Sequence, residues 1–258
     1  MNWRTNKRAG ESYIIEPPSR FRHWVESFFV YRGAAPRLIL PTCAFDVVIA
    51  AGAEPEPAPA FIHGFLSTAF SPPPTMVLDA VGIRFRPGGF RMLLGISPTD
   101  ASDGIHPLGM FTKETIFQRN LRRTFAHKDL QQRIRGLEDL LDDFVRPAPL
   151  SSSATAVVCE AMSKITHVHQ LAQATRLSVR QVERIMSEQV GVTPKKFLQI
   201  RRFRRAVRRR AAGLSWSEAA IAAGYYDQPH LTKDCRTIAG VTPKELERMA
   251  SEGMTYRV

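Results

Sequence analysis

"GVTPK" stands at residues 191–195 and again at 240–244, 49 residues further on. The register carries more than the pentapeptide. Ala174 falls on Ala223, Val182 on Leu231, Met186 on Cys235 and Val190 on Ala239, while Ser178 falls on Asp227, both good helix N-caps. Ala172 falls on Ile221, which keeps apolar character but not size. Two copies of one supersecondary unit are therefore expected. In the first, "VHQLAQATRL" reads as a short helix and a break. "SVRQVERIMSEQ" then starts at Ser178 with Gln181 completing a capping box, and Val182, Ile185, Met186 and Val190 line its inner face. In the second, "SEAAIAAG" turns at Gly224 into "DQPHLTKDCRTIA", capped by Asp227, with Pro229 in the first turn and Leu231, Cys235 and Ile238 inward. Short helix, tight turn, second helix: each copy reads as a helix-turn-helix unit.

Between the copies lies "RRFRRAVRRR", residues 201–210, with seven arginines in ten positions. Thr193-Pro194 caps and starts a helix that Gly213 stops. Phe197, Ile200, Phe203 and Val207 keep one face apolar, a phase that a disordered basic tail has no reason to hold. The expectation is an ordered helix joining the units, with the arginines on the rest of its circumference, open to phosphate or to water.

Outward from this segment the character changes. "RPAPLSSSA", 146–154, reads as an interdomain linker, which puts a β-rich domain at 1–148 and a helical domain at 149–258. The first half offers strand-like runs, "SYIIE", "SFFVYR", "RLILP", "FDVVIAA", "FIHGFL" and "MVLDAVGIRF", several of them separated by Pro/Gly-rich pieces, a pattern for a barrel- or sandwich-like domain. Helical structure follows within it. Leu130, Ile134, Leu137, Leu141 and Phe144 form an amphipathic stripe that would pack on the β domain or serve as a dimer interface. The fold class is thus α+β in two domains.

The formal charge is +12 over 258 residues, and residues 154–258 hold 18 basic against 9 acidic side chains. A polyanionic partner suits that half. Three scattered cysteines suit a reducing cytoplasm. No apolar run is long enough to span a membrane, and none at the N-terminus resembles a secretory signal. Neither His167-Val168-His169, His63 nor His106 has metal-ligand spacing, and Cys43, Cys159 and Cys235 read as packing residues. "GIRFRPGGF", 82–90, reads as a turn rather than a phosphate loop. No catalytic residue, metal or cofactor is expected.

With "LAQATRLSVRQVERIMSEQVGVTPKKFLQIRRFRRA" and "AAIAAGYYDQPHLTKDCRTIAGVTPKEL" in view, the segment from about 152 to 258 resembles the DNA-binding domain of AraC/XylS-type transcription regulators. Arg202, Phe203 and Ala206 resemble the family's linker-helix motif, and Gly224, Tyr225 and Asp227 its second recognition-helix motif. Cys235 stands where that family usually has Phe, and Arg208–Arg210 replace a commonly leucine-rich stretch. The β-rich half looks like the sensor or dimerisation domain of one subset of the family.

Recognition helices read base edges in the major groove, chiefly from their N-terminal turns. Exposure on the first places Arg180, Gln181, Glu183 and Arg184 as base-contact candidates: arginine forks onto guanine, glutamine pairs with adenine unless capping occupies it, glutamate accepts from cytosine. The second offers Gln228, His230, Thr232 and Lys233. The resemblance implies the same positions apart from Gln181. Arg201, Arg205, Arg208 and Arg236 are the phosphate-contact candidates. The expected partner is double-stranded DNA, the others being a small-molecule effector in the N-terminal domain, RNA polymerase and a second copy of the chain. The alternatives are a nonspecific basic DNA- or RNA-binding protein, and a DNA-repair enzyme fused to such a domain. The latter calls for a cysteine cluster, where the N-terminal half has only Cys43.

Overall fold

The computed structural model describes residues 3–6, 11–36, 38–50, 60–72, 77–111, 129–144, 153–162 and 165–251. Among the described residues seven strands make one antiparallel sheet: β1 (Trp3–Asn6), β2 (Glu11–Ile15), β3 (Val25–Ala34), β4 (Asp46–Ala50), β5 (Ala60–His63), β6 (Val77–Phe85) and β7 (Ile105–Pro107). Their order is β1-β2-β3-β6-β4-β5-β7. Pairing sets Val30 opposite Val81 and Phe28 opposite Ile83, and continues Val81 to Ile49 and Ile83 to Val47. All six are buried, so alternate residues of three neighbouring strands share one apolar face. On the opposite face Phe29 pairs with Gly82, and a Cβ there would lie 2.2 Å from the Phe29 ring. Glycine is what lets that ring lie across β6.

Two strands, β1 and β7, were not among the expected runs, being short and weakly patterned. "RLILP" was expected as a strand, but in the described residues it contributes isolated bridges at Leu38 and Ile39, the latter paired with Phe70. Nor is "RPGG" merely a turn. It leaves β6 and opens the six-residue helix α1 (Gly89–Leu94), with Gly89 packed on the Trp24 backbone. The sequence offers too few residues there for a helical period to register.

The stripe helix α2 (Leu130–Phe144) packs on β6 and α1 of its own domain, burying Ile134, Leu137, Leu140 and Leu141. The side chains of Leu130 and Phe144 lie outside the described residues, as does most of the expected linker, including the proposed boundary at 148/149. Arg133 on α2 donates to Asp79 on β6 at 2.7 Å, and Arg20 reaches Asp142 at 3.0 Å.

The second domain is helical: α3 (Ser153–Met162), α4 (Val168–Thr175), α5 (Val179–Val190), α6 (Pro194–Ala211), α7 (Trp216–Ala223), α8 (Gln228–Ala239) and α9 (Pro243–Ser251). The repeated pentapeptide explains itself here. Gly191 and Gly240, at φ 75° and 71°, end α5 and α8 in the left-handed conformation that glycine accepts readily. Thr-Pro then starts the following helix in both copies; Thr193 Oγ1 accepts from the Lys196 amide at 3.3 Å. Val182, Ile185, Met186 and Val190 are buried on α5, and Leu231, Cys235, Ile238 and Ala239 on α8.

The domains are docked against each other. Arg91 on α1 donates to the Glu188 carbonyl at 2.8 Å, Ser102 Oγ to the Gly191 carbonyl at 3.3 Å, and the Ala69 amide to the Ile238 carbonyl at 2.7 Å. The β domain thus holds the C-terminal ends of both α5 and α8. It also holds the first turn of α6, where the Phe65 and Phe197 rings stack with centroids 6.4 Å apart.

Candidate DNA-binding surface

Each recognition helix is fixed at its start by its own sequence. Ser178 Oγ accepts from the Gln181 amide at 3.3 Å, and Gln181 Oε1 accepts from the Ser178 amide at 2.9 Å. Capping therefore occupies the carbonyl oxygen of Gln181. Asp227 Oδ1 accepts from the His230 amide at 2.8 Å. The caps leave the first turns of α5 and α8 rigid at their outer faces.

On α5, Arg180, Gln181, Glu183 and Arg184 are all exposed. Arg184 stands 3.6 Å from Glu188 one turn on, an exposed pair that leaves the guanidinium available. On α8, Gln228, Lys233 and Arg236 are exposed, whereas His230 and Thr232 are half-buried. The His230 ring stands edge-on to Tyr225 at 5.1 Å, and the Thr232 hydroxyl donates to the Gln228 carbonyl at 3.0 Å.

The arginines of α6 divide sharply, which corrects the reading that all of them cover the open circumference. Arg204 is buried under the β domain and donates to the Pro41 carbonyl at 3.0 Å. Burial, and next the like charge of Arg84, lower its pKa to about 10. Arg201 donates to the Ile165 carbonyl at 2.7 Å, and burial lowers its pKa. Arg202 pairs with Asp234 at 3.3 Å and lies over the Tyr225 ring at 4.4 Å, and Arg210 pairs with Glu247. Arg208 and Arg209 are exposed and Arg205 is half-buried. A helix period cannot foresee this division because the β domain's docking face is invisible to it.

Asp234 is the residue that sequence reading missed. Buried on the inner side of α8, it accepts from Gln199 at 2.7 Å, Tyr225 at 2.9 Å and Arg202 at 3.3 Å. It thereby ties the second recognition helix to the joining helix. Burial, and then the Asp234 charge, raise the Tyr225 pKa, so the phenol stays a donor at neutral pH. A second missed group lines a cleft of about 630 Å³ between the two units: Lys195 and His167, together with Arg201, Arg205 and Lys233. Tyr226, 88% exposed, precedes the α8 cap.

Two units of the same design, with cationic side chains on both outer faces and a basic cleft between, form a surface matched to a polyanion. Residues 171–249 match the family described as a helix-turn-helix domain. The C-terminal segment is an AraC-type helix-turn-helix DNA-binding domain. Residues 13–106 match a domain of unknown function, DUF6597, so the AraC-type units are joined here to a second recognised module. No curated protein sequence matches the chain. Among solved structures the chain is similar to ToxT from Vibrio cholerae, at 9% identity and a TM-score of 0.44, covering 96% of this chain and 99% of that one. ToxT from the O395 strain, bound to (E)-4-(8-methylnaphthalen-1-yl)but-3-enoic acid, matches at 9% identity and 0.43, with coverage of 96% and 99%. Wild-type ToxT bound to an unsaturated fatty acid matches at 7% and 0.40, with 95% and 96% covered. Among the described residues no helix is long and apolar enough to cross a membrane, and no group of three metal-ligating side chains converges.

Proposed function

We propose that this protein is a sequence-specific transcription regulator that places α5 and α8 in successive major grooves of one DNA face, about 34 Å apart. The observation that carries the reading is the pair of capped helices with Arg180 and Arg184 exposed on one and Gln228 and Lys233 on the other. Arg180, Glu183 and Arg184 read one half-site, with Gln181 contributing its amide NH₂ while its oxygen caps the helix. Gln228, His230, Thr232 and Lys233 read the other. Arg205, Arg208 and Arg236 bind phosphate, and so does Arg201, whose Nη2 also donates to the Ile165 carbonyl.

A monomer then reads an asymmetric site. The β-rich segment 1–148 serves as sensor or dimerisation domain for 149–258, which places an effector, a second copy and RNA polymerase among its partners. The protein acts in the cytoplasm without catalysing a reaction. Binding-site selection from random duplex DNA with the full chain, at two salt concentrations, tests the reading. Two short sequence blocks one helical turn apart are expected; no enrichment, from either the full chain or residues 152–258, refutes specificity and leaves a charge-driven binder.

A further inference from the structure

We infer that the cleft between the β domain and α6 is a binding site for a small polyanion, a metabolite carrying phosphate or several carboxylates. The inference deepens the effector reading above, and rests on the regulator reading only for its consequence on DNA.

The cleft has a volume of about 530 Å³, within the range of small-molecule sites. Its walls come from both domains. Arg22, Arg84 and Arg86 line it from the β domain, and Arg201, Arg204 and Arg208 from α6. Two of these charges are matched by carboxylates: Arg84 forms a two-pronged pair with Asp46 at 2.8 and 2.7 Å, and Arg22 stands 3.6 Å from Glu16. The other four guanidiniums face the two carboxylates of the wall, Glu26 and Glu160.

Arg204 is the pivot. Its residue is only 6% exposed, and among the described residues it forms no ion pair, its bond being to the neutral Pro41 carbonyl. Its lowered pKa, about 10, still leaves it charged at neutral pH. Glu26 acts on it through its charge but forms no ion pair with it, so the buried guanidinium stays costly, and an anion entering beside it offsets that cost. Arg201 adds a second vacancy: its Nη1 is buried without a hydrogen-bond partner. Guanidinium groups arranged around a cavity suit phosphate or carboxylate oxygens, which accept forked hydrogen bonds. Four cations against two carboxylates ask for an anion of charge two or more rather than a neutral sugar or a long apolar chain.

The site touches the DNA-binding surface through Arg201 and Arg208, which are also phosphate-contact candidates. An anion held there competes with DNA phosphate for both side chains, and by linkage each partner weakens the other's binding by the same factor.

Isothermal titration of the full chain with inorganic pyrophosphate, and separately with citrate, tests the site without DNA, against sodium chloride of equal ionic strength. One saturable site is expected for at least one of the two; saturation by one alone assigns the ligand as phosphate- or carboxylate-bearing. Arg86→Ala, at the exposed β-domain rim, should weaken binding about tenfold or more. Arg205→Ala removes the same charge from the other cleft and should leave binding within about twofold. Failure of both anions to bind, or equal loss in the two variants, overturns the site. In fluorescence anisotropy on random-sequence duplex, the bound anion should weaken DNA binding of the wild type more than of Arg86→Ala. Equal weakening of the two overturns the competition, while the calorimetry stands apart from whether the protein reads sequence.

Discussion

Replacing Asp234 by alanine strikes the junction between the second recognition helix and the helix that carries it. Three donors lose their acceptor at once: the Gln199 amide at 2.7 Å, the Tyr225 hydroxyl at 2.9 Å and the Arg202 guanidinium at 3.3 Å. A hydrogen bond to a charged group contributes about 1.5–3 kcal/mol, and removing one partner of a buried ion pair costs about 3–5 kcal/mol. The Arg202 side chain is 33% exposed and recovers water when its partner goes, so the lower end applies. About 3 kcal/mol of stability should be lost from the helical domain. For roughly 100 residues that is on the order of 10–20 °C in melting temperature. Tyr225→Phe removes one donor and leaves Asp234 two, so about 1 kcal/mol should be lost, rising towards 2 because the acceptor is charged. Asp234→Asn keeps the shape and an acceptor for the phenol, and should fall between the two. Urea unfolding of the full chain followed by circular dichroism measures all three. An Asp234→Ala midpoint within error of the wild type, or no worse than Tyr225→Phe, would refute the claim that this buried carboxylate fixes α8 on α6.

Four further outcomes are expected. Arg180→Ala and Arg184→Ala should each weaken specific binding by about 1–3 kcal/mol and relax one base position, read by competition among single-base variants of the selected site; equal loss on random DNA would make them phosphate contacts only. Reversing the charge of Arg208 or Arg205 should lower affinity for every sequence and flatten the dependence of log affinity on log salt by about one unit or more, and an unchanged slope excludes them. Burial raises the thiol pKa of Cys43 to about 12 and of Cys159 to about 11, from 9.0. At pH 8 their thiolate fractions drop by about 1,000-fold and 100-fold, so mass spectrometry should find iodoacetamide labelling of the folded chain far slower than after denaturation. Burial works to raise the Asp79 pKa, but the Arg133 hydrogen bond, and then the Arg133 and Arg32 charges, outweigh it and hold it below 3.8. A depressed folded value means stability present above the unfolded pKa and lost as pH falls through the folded one. Asp79→Asn should accordingly be less sensitive to acid below about pH 4 in thermal melts, and parallel curves for the two proteins would exclude the linkage.

The helical half was legible because its information is local. Caps at Ser178 and Asp227, Gly-x-Thr-Pro boundaries and a 3.6-residue apolar period each act within one or two turns, so the chain spells out where α5, α6 and α8 begin and which apolar residues turn inward. The outward faces of α5 and α8, and with them Arg180, Arg184, Gln228 and Lys233, follow directly. The β-rich character of the first half was legible too, since alternating apolar residues such as Val47 and Ile49 announce a strand. The order in which strands pair was not: β6 lies between β3 and β4, a neighbourhood set by contacts some 30–60 residues apart.

What only the tertiary structure decided is the fate of charged residues whose partners come from elsewhere. Arg204 and Arg208 lie four apart on one helix and are identical in composition and propensity. One is buried beneath the β domain and the other reaches solvent, because the docking face of α6 is chosen by Pro41, Cys43 and Phe65 rather than by its own period. Asp234 looks from its sequence like an ordinary surface acid on a polar helix. Burial against Gln199 and Arg202, more than thirty residues earlier, makes it a fixed junction, since a buried carboxylate is held only where several donors converge on it. Periodicity records which way a side chain leaves its own element, and nothing in it records what stands opposite.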